Sequence, residues 1–189
     1  MWTSLFFTIL VIIFALFHCE KIIKPYNLQC DGNTKYLDNV TCHLKPLRRD
    51  FVIANLDGDI IDTLKNISVR YRAFKYYTQF RPFMVDISFN WCEIIHNKYL
   101  YGFYANQLMR VLKKYCNIIH CQLRGHIYAK DLQLNYDAIK IFVDESRYKL
   151  LFEFFEGYPQ EYLGNITIFF EVYNKFRKPA IKKKTNSTL

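Results

Sequence analysis

The chain has 189 residues, 51% hydrophobic and 18% aromatic, with 17 Phe and 15 Tyr against only 6 Gly and 5 Pro. That composition excludes an extended disordered protein and supplies enough apolar surface for one domain with a sizeable core. The formal charge of +9 would raise nucleic acid as a partner in a nuclear protein. A secreted chain meets acidic lipids, glycans and proteins instead, so no nucleic-acid role is expected.

Secretion is read from the first element. Residues 1–19, MWTSLFFTILVIIFALFHC, contain no charged side chain, and Leu5 to Phe17 is apolar apart from Thr8. The run is shorter than the roughly 20 residues needed to cross a bilayer. It begins at the initiator Met and stops at His18-Cys19-Glu20, the pattern of a signal peptide; an uncleaved anchor is the competing reading. The Asn-x-Ser/Thr triplets at Asn39, Asn66, Asn165 and Asn186 are glycosylation acceptors and agree with passage through the secretory route.

Further along, Phe51 to Ile61 is a less regular strand candidate. Within it, Asn55-x-Asp57-Gly58-Asp59 resembles a calcium loop, but its glycine is misplaced and no Glu stands at the twelfth position, so it is read as a turn between strands. From Ile67, apolar Ile67, Val69, Tyr71 and Ala73 alternate with Ser68, Arg70 and Arg72. Phe83, Val85, Ile87, Phe89 and Trp91 alternate with Asp86, Ser88 and Asn90. This period of two predicts half-buried antiparallel strands. Between Lys98 and Tyr115 the spacing becomes helical, with Leu100, Phe103, Tyr104, Leu108, Val111, Leu112 and Tyr115 on one face. Strand patterns resume at Cys121 to Asp131, at Tyr148, Leu150, Phe152 and Phe154, and at Ile166, Ile168, Phe170 and Val172. Asn66 and Asn165 fall on the polar faces of their strands. The expected fold is mainly β, two packed sheets with one amphipathic helix inserted between strands.

Five cysteines follow the leader: Cys30, Cys42, Cys92, Cys116 and Cys121. In an oxidising compartment an odd number means two bridges and a spare, or an intermolecular bond. Cys116-x3-His120-Cys121-x4-His126 mixes intervals in a way structural zinc sites do not, so no metal and no cofactor are expected. There is no G-x-S-x-G, H-E-x-x-H, P-loop or G-x-G-x-x-G, and no catalytic residue is assigned. Binding, not catalysis, is the expected activity.

Phe80-Arg-Pro-Phe-Met-Val-Asp-Ile-Ser-Phe-Asn-Trp-Cys92, a helix, and Tyr115-Cys-Asn-Ile-Ile-His-Cys121 together resemble a family of secreted insect proteins of unknown function. The segment from Gly157 to Leu163 resembles their late turn before the final strand. That family is similar to the ML (lipid-recognition) superfamily and to the CheB chemosensory proteins. The resemblance covers roughly Ile22 to Val172, with departures at Gln122, where relatives usually carry Pro, at the extra thiol of Cys116, and at the displaced glycine of the late turn. It implies an immunoglobulin-like β-sandwich opened into a cup, over residues 20–174, between a signal peptide at 1–19 and a basic disordered tail at 175–189. It also implies a small hydrophobic ligand, lipid or pheromone-like, between the sheets.

Ligand contact would then fall on the inward faces: Val69, Tyr71, Phe83, Val85, Ile87, Phe89, Leu150, Phe152, Phe154, Ile166, Ile168 and Phe170. Phe103 and Leu108 on the helix would flank the mouth. A pocket of roughly 300–1,000 Å³ is expected, and a buried acyl chain would contribute about 0.8 kcal/mol per CH2. Cys92 is expected to pair with Cys121 across the helix, and Cys30 with Cys42 across a hairpin tipped by Asp31-Gly32-Asn33, leaving Cys116 free. The alternative is a closed sandwich that acts as a protein-interaction module, with a receptor protein as partner.

Lys175, Arg177, Lys178, Lys182, Lys183 and Lys184 make the C-terminal tail basic. Such a run adds about 1 kcal/mol per cation at an anionic membrane surface. Full-length protein should bind anionic liposomes at low salt more tightly than a chain ending at Asn174. The difference should fade at 1 M salt, where the Debye length is only about 3 Å.

Overall fold

The alternating pattern forms eight antiparallel strands in the computed structural model, which describes residues 21–48, 51–96, 110, 112–133 and 143–174. The leader read as a signal peptide, Phe103, Leu108, Asn186 and the basic tail lie outside the described residues, as does most of the segment read as a helix from Lys98 to Tyr115. In chain order the strands are β1 (Lys21–Gly32), β2 (Leu37–Arg48), β3 (Phe51–Leu64), β4 (Ile67–Tyr76), β5 (Phe80–Asn90), β6 (Leu123–Gln133), β7 (Ser146–Glu156) and β8 (Glu161–Asn174). A short helix, α1 (Trp91–His96), follows β5 directly. Two sheets pack as a sandwich: a five-stranded sheet in the order β1-β8-β7-β4-β5 and a three-stranded sheet in the order β2-β3-β6.

Directly paired residues in an antiparallel sheet share a face, so register sorts the large sheet into rows. Tyr71, Phe152, Ile166 and Cys30 form one inward row, and Ala73, Leu150, Ile168 and Leu28 the next. Two buried clusters result. One gathers Ile60, Leu64, Ile67, Val69, Trp91, Leu112, Cys116, Ala129 and Leu163 between the sheets. The other gathers Ile23, Ala73, Val143, Tyr148, Leu150, Phe170 and Val172, with Tyr71, Phe83, Val85, Phe152 and Ile168 packed against it.

The opposite face of the large sheet is less polar than alternation predicts. Phe74, Lys149 and Phe169 are cross-strand neighbours there, as are Tyr76 and Phe80. Tyr26, Phe169, Phe80 and Tyr76 form a chain of ring contacts with successive centroids 6.1, 5.8 and 5.2 Å apart. Arg147 lies 4.0 Å from the Tyr76 ring centre and Lys149 4.3 Å from that of Phe74. The charged face therefore covers aromatic surface with the stems of its own cations. Arg70 and Arg72 continue it, paired with Asp86 and Glu153 at 2.7 Å each.

Four local expectations change. Asn55 to Asp59 is no turn: it runs through the middle of β3, the central strand of the small sheet. Its acidic side chains are accommodated by His126 on β6, whose Nδ1 is 3.0 Å from Asp59 and whose Nε2 is 3.4 Å from Asp57. β1 and β2 do not form a hairpin, because they belong to different sheets. The chain turns at residues 33–36, where the Asn33 side chain accepts from the Lys35 N–H and donates to the Tyr162 carbonyl, and the Asn33 N–H donates to the Leu163 carbonyl. Trp91 and Cys92 leave the strand and open α1, capped by Asn90, whose Oδ1 accepts from the Cys92 N–H at 2.9 Å. Asn66 sits in the bend before β4, exposed, with its Oδ1 accepting from the Asn90 side chain. Asn39 is exposed on β2 with φ of 52°, and Asn165 is half-buried on β8, donating to the Tyr162 hydroxyl at 2.6 Å.

Gly164 allows β8 and β1 their closest approach: a Cβ there would lie 2.4 Å from the Asp31 carbonyl oxygen and 3.1 Å from the Gly32 Cα. These are backbone atoms of β1, which cannot yield to it as the end of a flexible side chain would. Gly164→Ala should lower the unfolding free energy by about 1–3 kcal/mol, the usual cost of overpacking, measured by denaturant titration of the purified chain.

Candidate functional site: an apolar cavity between the sheets

Both sheets contribute alternate inward residues to one cavity of about 180 Å³. From the large sheet come Ile67 and Val69 on β4, Phe154 on β7, and Leu163, Gly164 and Ile166 on β8. The small sheet supplies Val40 on β2, Leu56, Ile60 and Leu64 on β3, and Leu123, Ile127 and Ala129 on β6. Trp91 enters from α1 and Ile118 from the segment before β6. The surface they present is almost entirely apolar. Polar residues on the lining are few, among them Asp31, Thr41, Asp57 and Asn165.

The two disulfides flank this space. Cys30–Cys42 joins β1 to β2, the edge strands on one side of the two sheets, with Cα atoms 6.0 Å apart. Cys92–Cys121 joins the start of α1, just beyond edge strand β5, to the segment just before edge strand β6, with Cα atoms 4.9 Å apart. Each bridge thus ties one sheet to the other along one open edge. On the chain-entropy model, a loop of about 30 residues closed by the second is worth roughly 3–4 kcal/mol. Cys116 is the free cysteine among the described residues; it is buried beside Ala129, and burial pushes its thiol up to about 11.

Trp91 is the distinctive wall residue. It is only 8% exposed, and its Nε1–H, a donor with no acceptor capacity, has no hydrogen-bond partner among the described residues. Leaving such a donor buried and unpaired costs about 1–3 kcal/mol. The residue is held in place from both sides, by the Asn90 cap before it and the Cys92 bridge after it.

Of the inward residues expected to meet a ligand, Val69, Phe154 and Ile166 line the cavity. Phe89 and Phe152 pack against the cluster that surrounds it. Leu150 and Phe170 are buried in the second cluster, with Tyr71, Phe83, Val85 and Ile168 against it, away from the cavity. Ile87 remains 52% exposed; it sits on edge strand β5, and three strands cannot cover five. Sequence reasoning missed the small sheet's share of the wall. Its signal was present: Ala54, Leu56, Gly58 and Ile60 alternate with Asn55, Asp57 and Asp59, and Leu123, Ile127 and Ala129 with Arg124, His126, Tyr128 and Lys130. Among the described residues no group of three His, Cys, Asp or Glu side chains is placed to hold a metal ion, and no helix is long and apolar enough to cross a membrane.

The stretch carrying β4, β5, Trp91, both members of the second disulfide, β6 and the first part of β7 can be compared with known families. Residues 66–150 match the model of a family described as a protein of unknown function, DUF1091. The match takes in Val69, Trp91, Leu123 and Ile127, but not the β2, β3 and β8 walls of the cavity. No curated protein matches the chain.

Non-reducing peptide mapping should recover Cys30 linked to Cys42 and Cys92 linked to Cys121. Cys116 should resist alkylation at pH 8 in the folded protein and react once the chain is unfolded. Rapid labelling of native Cys116 would contradict its burial.

Proposed function

We propose that this chain is a secreted carrier of small hydrophobic molecules, an ML-type cup related to the CheB chemosensory proteins. The observation that carries the reading is the apolar cavity walled by both sheets and bounded by a disulfide on either side. Disulfides are rare where thiols are kept reduced, so the two bridges support an extracellular setting together with the sequons and the leader. The cavity of about 180 Å³ falls below the roughly 300–1,000 Å³ of drug-sized pockets. It exceeds the ~150 Å³ of an engineered apolar cavity that stays dry and takes benzene. The ligand is therefore a compact molecule and not a long lipid or sterol.

A second reading, a secreted module that recognises another protein such as a receptor, is favoured by the aromatic and cationic outer face. Tyr26 there is 48% exposed, and neither Arg147 nor Lys149 is ion-paired to a carboxylate among the described residues. Tyr and Arg are enriched at recognition surfaces.

Native mass spectrometry of protein purified from a secreting host should detect a low-mass apolar adduct. Val69→Phe, which fills the cavity, should lose it while keeping the far-ultraviolet circular dichroism of the wild type. If no adduct is found and no fluorescent apolar probe is taken up, the carrier reading fails. Retained biological activity in Val69→Phe, with loss in Arg147→Glu, would favour the outer face.

A further inference from the structure

We infer that the outer face of the five-stranded sheet, at the end where β8 finishes, is a docking surface for a sulfated polysaccharide. Tyr26 would lie under the sugar rings, with Arg147 and Lys149 on the sulfates. The surface is separate from the cavity, and the inference does not depend on the carrier reading. Charge supplies the first argument. Lys24, Glu171 and Arg147 are cross-strand neighbours on this face, and Phe169 and Lys149 stand in the next outward row. Lys24, Arg147 and Lys149 thus face one carboxylate, Glu171, in these rows. Neither Arg147 nor Lys149 is ion-paired to a carboxylate among the described residues. Farther along the same face Arg70 and Arg72 are both paired, to Asp86 and Glu153. Excess positive charge therefore gathers at one end. The sequence that continues from Asn174 there carries Lys175, Arg177 and Lys178.

The rings narrow the class of anion. Tyr26, Phe169, Phe80 and Tyr76 touch in succession, and Arg147 and Lys149 lie across Tyr76 and Phe74. Phe74, Tyr76, Phe80 and Phe169 are half-buried in this arrangement. They do not project as insertion into a bilayer requires, and their contacts leave no groove among them for a helix. Tyr26, at 48% exposure, offers an open ring at the rim of the cations. A sulfated sugar chain alternates apolar C–H faces, which pack on a ring, with anions that accept from guanidinium and ammonium groups. The sequons leave this end clear. Asn66 precedes β4 at the opposite end, Asn165 lies four residues before Phe169 on β8, and Asn39 is on the small sheet.

Binding of the full-length secreted chain would be measured on immobilised heparin, on desulfated heparin and on polyphosphate, a polyanion without rings. Co-sedimentation with phosphatidylserine vesicles completes the set. Heparin should bind and desulfated heparin should not, with affinity falling as salt rises. Arg147→Gln with Lys149→Gln should weaken heparin binding about five- to tenfold, as two exposed charge contacts allow. Lys183→Gln with Lys184→Gln, the same change of charge in the tail, should weaken it less. Tyr26→Ala should weaken heparin binding and leave polyphosphate binding unchanged, and Glu171→Gln should tighten heparin binding. Val69→Phe should bind heparin as the wild type does, whatever it does to an apolar ligand, so this inference and the carrier reading fail separately. Equal losses from the face and tail pairs, or equal effects of Tyr26→Ala on heparin and polyphosphate, would show general attraction to polyanions and overturn the inference. Absence of heparin binding overturns it too. So does vesicle binding that the Arg147 and Lys149 pair weakens more than heparin binding, which would assign the face to a membrane.

Discussion

Two sheets of unequal width, tied together at both edges, are the constraint on which the rest of this structure depends. A three-stranded sheet cannot cover a five-stranded one, so the space between them is not filled uniformly. Ordinary sandwiches close by interdigitation of their inner faces. Here Cys30–Cys42 and Cys92–Cys121 set the separation at the two edges, and the side chains between must fill whatever those anchors leave. Over much of the interior they do, in two buried clusters. Beside Trp91 and Val69 they do not, and the cavity remains.

The same covalent frame places Trp91 on the cavity wall. Trp91 begins α1, which is described over Trp91–His96. Its position comes from the Asn90 cap and from the bridge at the next residue. A strand continuing through Trp91 would have put the indole in the sheet register. The helical turn instead brings it to the cavity wall, where apolar neighbours leave its N–H unanswered.

Outside, the fold resolves an excess of aromatic residues by another route. Phe74, Tyr76, Phe80 and Phe169 lie on the solvent side of the large sheet, and Arg147 and Lys149 lie across their rings. The cations shield apolar surface that would otherwise invite edge or face association. A face of this composition can still take part in recognition, which is why it and the cavity are the two surfaces worth separating by experiment.

The strands of the large sheet were legible from sequence because they alternate cleanly. Val69/Tyr71/Ala73 and Ile166/Ile168/Phe170 show a period of two that no other regular element produces. Cys92–Cys121 was legible as a bridge across the predicted helix, and Cys30–Cys42 forms as expected although β1 and β2 lie in different sheets and make no hairpin. β3 was harder: its acidic Asn55–Asp59 stretch has the composition of a turn, and the partners of its carboxylates, His126 nearly seventy positions away and Asn39 on β2, come together only in the fold. Sequence by itself determined a mainly β chain, the inward faces of β4, β7 and β8, and a basic, cysteine-bridged character. Tertiary structure alone decided which strands share a sheet, that both disulfides run between sheets, and that Val69, Phe154 and Ile166 meet a cavity while Leu150 and Phe170 are plain core. A residue filling a core and one lining a void have the same local pattern, and only the distance to the opposite sheet distinguishes them.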